Sequence, residues 1–285
     1  MHLPGPLDGG LEAGPCAVAC PFCYLGARRP ADTVPLGPTG PRLSRDAVAE
    51  ALVRGAARLD YAELAIALSE PIADDTRALL ARLLAAAGER PRAITTTTTL
   101  VLAEPTLLAG ASRLNLSVDP WKLPGGDAAL LDEVRRAARA AKARGVEVVA
   151  IASLSTPGFA ETLVAGLLAQ LVDSPELDAV ALNALKPPPP FCDRAFWLST
   201  LARLRPLLDR ALDRRLFLDC YVGARLLGIG GCPARPDLSP GGRGIAFRSC
   251  VYAPTPDAEV RSVDELDERL AEFVAPAVCP FDTRL

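Results

Sequence analysis

Apolar and polar positions along this chain fall into short apolar runs that alternate with longer stretches of helical spacing. Residues 63–68, Glu-Leu-Ala-Ile-Ala-Leu, are too short for an isolated helix and are bounded by Ser-Glu-Pro, so they read as a buried strand. Ahead of it, Val48, Leu52 and Leu59 recur at helical spacing behind Ser44, a good N-cap. A Leu/Ala-rich helix is predicted over 74–87, stopping near Gly88 and Pro91. Residues 93–102 are rich in β-branched side chains and read as one strand. A strand at 114–118 precedes a helix capped by Asp127 and ending at Gly145. Strands at 146–154, 177–185 and 216–222 alternate with helices at 158–172 and 193–214.

Strands that are nearly all apolar, each followed by a helix, predict a parallel sheet covered by helices. About six such units are present, fewer than the eight of a closed barrel. No clear strand is read ahead of residue 14. Residues 26–43 form a Pro/Gly-rich connector without periodicity, and no internal repeat points to a solenoid. From about residue 223 the alternation stops. Gly228-Ile-Gly-Gly-Cys-Pro and Ser239-Pro-Gly-Gly-Arg-Gly are loop sequences, and one helix is predicted near 263–274 behind a Ser262/Glu265 capping box. The expected organisation is a main domain over 1–222 and a loop-rich, cysteine-containing extension over 223–285.

Bulk properties narrow the function classes. A chain of 285 residues suits one large domain or a barrel with an appendage. A net charge of −3 argues against a general nucleic-acid binder. Arg135, Arg136, Arg139, Lys142 and Arg144 cluster, but at helical spacing among acidic neighbours, as on a solvated helix face. No apolar run reaches the ~20 residues of a membrane helix. The N-terminal Met-His-Leu-Pro-Gly lacks the basic-then-apolar pattern of a signal peptide. The expected setting is cytoplasmic, with reduced thiols and no membrane association. With His2 as the one histidine, neither a Ser-His-Asp nor a Cys-His arrangement is expected.

Candidate chemistry begins in Gly14-Pro-Cys-Ala-Val-Ala-Cys-Pro-Phe-Cys-Tyr. Cys16, Cys20 and Cys23 are spaced C-x3-C-x2-C, with Phe22 just before the last. Three thiolates in eight residues can hold one face of an iron–sulfur cube and leave the fourth iron open, whereas such clusters normally take four cysteines. Zinc and inert thiols are the competing readings. Against zinc, the chain has no second C-x2-C and no usable histidine pair. Against a disulfide framework, it is long and lacks a secretory signal.

This motif resembles that of the radical S-adenosylmethionine (SAM) superfamily. The resemblance implies a partial (β/α)6 TIM-type barrel, a [4Fe-4S] cluster on Cys16, Cys20 and Cys23, and SAM chelating the open iron with Phe22 near its adenine. The order of further residues supports it. Glu70-Pro71 follows the 63–68 strand where the family commonly has Gly-Gly-Glu-Pro; Leu68 and Ser69 replace the glycines. Ser117 and Asp119 end the 114–118 strand, where such residues contact the SAM carboxylate or ribose, and Asn183 resembles a polar residue often near the adenosine. A loop start for Glu70 and an Asp-Pro turn for Asp119 are the bland alternatives. Trp121, Lys122 and Lys186 read better as packing or solvated loop residues.

Cys220, Cys232, Cys250 and Cys279 lie in or just before the tail. The tail resembles a shortened SPASM or twitch extension, which implies at most a second [4Fe-4S] cluster, with Cys192 as an alternative ligand; buried free thiols are the competing reading. Taken together, the resemblance implies reductive cleavage of SAM and hydrogen abstraction from a substrate, fed by an electron donor such as flavodoxin or ferredoxin. A ribosomally made peptide is the expected substrate, with crosslinking or oxidation as the outcome. A radical SAM dehydrogenase or rearrangement enzyme acting on a small natural-product intermediate is the alternative. A non-catalytic iron–sulfur or zinc redox sensor is the reading from another class; it would keep the cysteines without needing Glu70, Ser117 or Asp119.

Overall fold

A computed structural model gives the fold. It describes residues 2–3, 45–58, 63–68, 70, 72, 74–118, 126–154, 166–184, 194–212, 215–218, 237–240, 245–248 and 257–272. In chain order the elements are β1 (His2–Leu3), α1 (Arg45–Arg58), β2 (Leu64–Leu68), α2 (Asp74–Ala86), β3 (Arg92–Thr97), α3 (Thr98–Ala103), a 3-10 turn (Pro105–Leu108), β4 (Arg113–Ser117), α4 (Gly126–Lys142) and β5 (Glu147–Leu154). They continue with α5 (Leu168–Asp173), β6 (Ala179–Ala184), α6 (Arg194–Ala211), β7 (Leu216–Leu218), β8 (Asp237–Pro240), β9 (Ile245–Arg248), β10 (Ala258–Val260) and α7 (Val263–Ala271).

Strands β1 to β7 follow chain order in one sheet that stays open among the described residues, and a separate three-stranded sheet runs β10-β9-β8. Parallel strands in chain order with helices between them form an α/β fold of the partial-barrel type. Among the described residues no helix is long and apolar enough to cross a membrane. By compactness the chain divides into two units, each described by itself: Met1–Thr96 with Thr106–Ser112 and Ala234–Ala275, and Thr97–Pro105 with Arg113–Pro233 and Pro276–Leu285.

In the first unit β1 and β3 flank β2, both parallel to it. Leu64, Ile66 and Ile94 are buried against the helical side, with Leu52 of α1 and Leu80, Leu83 and Leu84 of α2 also in the core. Gly88 ends α2 in the left-handed region, φ 62, where a Cβ would be strained, and its N–H reaches the Ala85 carbonyl at 3.1 Å. Arg90 reaches back to the Ala56 carbonyl near the end of α1 at 3.2 Å.

Three sequence expectations change here. A strand, β1, exists ahead of the cysteines; at two residues it carries no periodicity to read. The 93–102 run is not one strand, because β3 ends at Thr97 and α3 begins. Thr97 caps that helix, its side chain accepting from the Leu100 N–H at 3.3 Å, so a threonine read as a strand former serves as an N-cap. The tail is more than loops and one helix. Its antiparallel pairs β8–β9 and β9–β10 surround a central strand whose four residues are all buried. Burial on both faces removes the alternation that marks a strand in sequence. The α7 N-cap is Ser262 as expected, its Oγ accepting from the Glu265 N–H at 3.1 Å, but Glu265 reaches one residue further back than a capping box does, accepting from the Arg261 N–H at 2.9 Å.

In the second unit β4, β5, β6 and β7 pair in parallel. Leu114, Leu116, Val148, Ala150, Ala152, Val180, Leu182 and Leu216 are fully buried on one face, together with Val134, Ala137, Ala138 and Ala141 of α4. Small residues let α4 lie close to the sheet. Helix α4 starts at Gly126, one residue before the expected cap Asp127, and the chain turns at Gly145, φ 73.

Candidate functional site

Parallel α/β folds gather ligands at the carboxyl ends of their strands. In the first unit that end carries Glu70, half-buried in the bend after β2. Leu3 pairs with Leu68, so the chain leaves β1 at the same strand end, with the cysteine motif following in sequence.

In the second unit the carboxyl ends carry Ser117, Ser153 and Asn183. Strand alternation sorts the residues into two faces. Leu114 and Leu116 of β4 are 0% exposed, while Asn115 and Ser117 between and after them stay half-exposed. The same holds for Val149 and Ile151 on β5 and for Ala181 and Asn183 on β6. Registers align the open positions across strands: Ser117 with Ile151, Ile151 with Ala181, and Ala181 with Phe217; Asn183 lies two residues beyond Ala181 on β6. Paired positions on parallel strands share a face, so Ser117 and Asn183 stand on one half-exposed face of the sheet. A hydroxyl and an amide there can donate to and accept from a polar ligand.

Among the described residues, ion pairs lie at the opposite, amino-terminal end of these strands. Asp178 Oδ2 accepts from the Val148 N–H at 2.8 Å, and its Oδ1 pairs with Lys142 at 2.9 Å. Burial pushes the Asp178 carboxyl up, but the Val148 N–H and Lys142 outweigh it and the net shift is downward. Glu176 also sits below the usual carboxylate range, chiefly through the Ser174 hydroxyl, and pairs with Arg139 at 2.9 Å. Two members of the basic cluster on α4 are thus neutralised by the turn before β6, as a solvated helix face requires. In a barrel-type fold, this end serves stability.

Of the residues singled out from sequence, Glu70 lies in the first unit, and Ser117 and Asn183 in the second. Phe22, Asp119, Trp121, Lys122, Lys186, Cys16, Cys20, Cys23, Cys192, Cys220, Cys232, Cys250 and Cys279 lie outside the described residues. Among the described residues no cluster of three or more His, Cys, Asp or Glu is placed to hold a metal. Sequence reasoning passed over Ile151, Ala181 and Phe217. The signal for the first two was the two-residue step back from Ser153 and Asn183.

No protein-family profile and no curated protein matches the sequence. Several solved structures align with it, two enzymes among them. One is a radical S-adenosylmethionine methyltransferase, TsrM, from Kitasatospora setae, solved with cobalamin and a [4Fe-4S] cluster bound: 14% identity, TM-score 0.39, covering 66% of this chain and 51% of that one. This chain therefore spans about half the length of that enzyme. The other is an HMG-CoA lyase from Brucella melitensis: 12% identity, TM-score 0.38, covering 79% of this chain and 83% of that one.

Proposed function

We propose that this chain is a radical SAM enzyme that modifies a ribosomally made peptide. The observation that carries the reading is the C-x3-C-x2-C motif followed in order by Glu70, Ser117 and Asn183 at or just beyond strand carboxyl ends, the last two on one half-exposed face. The donor set fits the group. Three thiolates leave one iron of a cube open, and the hydroxyl and amide offer hydrogen bonds to a polar ligand.

Cys16, Cys20 and Cys23 would hold the [4Fe-4S] cluster. When bound and reduced by a flavodoxin- or ferredoxin-like donor, it supplies the electron that breaks the C5′–S bond of SAM, giving methionine and a radical that takes hydrogen from the substrate. The protein supplies placement and exclusion of water. Glu70 would accept from the methionyl amino group of bound SAM. Ser117 and Asp119 would bind the carboxylate or ribose hydroxyls, Asn183 the adenosyl group, and Phe22 the adenine, the roles that the family resemblance implies for them. The sheet face around Ser117 offers Ile151 and Ala181, uncharged apolar surface. Cys220, Cys232, Cys250 and Cys279, or Cys192 in place of one of them, are proposed for one auxiliary cluster. The peptide substrate is proposed because cysteine-rich C-terminal extensions are frequent among radical SAM enzymes that act on peptides.

The test is anaerobic reconstitution followed by SAM and dithionite. The expected product is 5′-deoxyadenosine. A loaded cluster that yields none would sink the enzymatic reading and favour the redox-sensor class. A precursor-peptide gene beside this one is the expected neighbourhood, whereas sugar or antibiotic biosynthesis genes would replace the peptide with a small-molecule substrate.

A further inference from the structure

We draw no further inference here: the strongest candidate, the recess between α5 and α6 lined by Val172, Asp173, Arg210, Ala211 and Arg215, carries nothing because Arg210 is already paired with Asp173 at 2.6 Å and Arg215 with the Ser174 carbonyl at 2.6 Å, and nothing in the structure shows what it would hold.

Discussion

Thr96 lies on the helix-facing side of β3, next but one to Ile94, and is 4% exposed. Its Oγ1 has no hydrogen-bond partner among the described residues. A buried hydroxyl without a partner loses its hydration and recovers nothing, whereas a methyl in the same place keeps the shape. Thr96→Val is therefore expected to raise stability by about 1 kcal/mol, read as a higher urea midpoint at unchanged m-value. A lower midpoint would mean that the hydroxyl is satisfied. The neighbouring threonines differ: Thr97 caps α3, and Thr98 Oγ1 donates to Glu133 on α4 at 3.5 Å. From sequence, Thr95 to Thr99 look alike, because β-propensity does not distinguish a strand interior from a helix cap.

At the scale of elements, the carboxyl end of α4 is tied to the amino-terminal ends of β5 and β6 by Asp178, which holds the Val148 N–H and Lys142. The depressed carboxyl has a definite sign. Its folded pKa lies below the ordinary aspartate value, so its contribution is present above about pH 4 and fades as pH falls through the folded pKa. The pair is solvent-exposed, so the effect stays below about 1 kcal/mol. Asp178→Asn should lower the urea midpoint at pH 7, and the gap from wild type should narrow as the pH drops below about 4. A gap that is constant across that range would assign the loss to geometry rather than charge. The helices themselves were legible: α1, α2 and α4 lie within a few residues of the apolar periodicity that marks them. The tail strands β8, β9 and β10 were not, because elements of four, four and three residues are too short for a period to show.

At the scale of the whole molecule, the cysteines divide into a motif of three and a set of five later in the chain. If the later set holds its own cluster, the variant Cys16→Ala/Cys20→Ala/Cys23→Ala should keep roughly four irons per chain after reconstitution, one cube. Wild type should then carry about twice that. Iron near zero in the triple variant would confine cluster binding to the motif.

The sequence by itself determined the alternation of strands and helices, the parallel α/β class and the residue types available for chemistry, because apolar period and thiol spacing are local properties. Only the tertiary structure decided which of those residues share a surface. That Ser117 and Asn183 open onto the same face as Ile151, Ala181 and Phe217 depends on strand register, which pairs residues dozens of positions apart. A shift of one residue would have turned each side chain to the sealed face. The opening motif remains the source of the proposed chemistry.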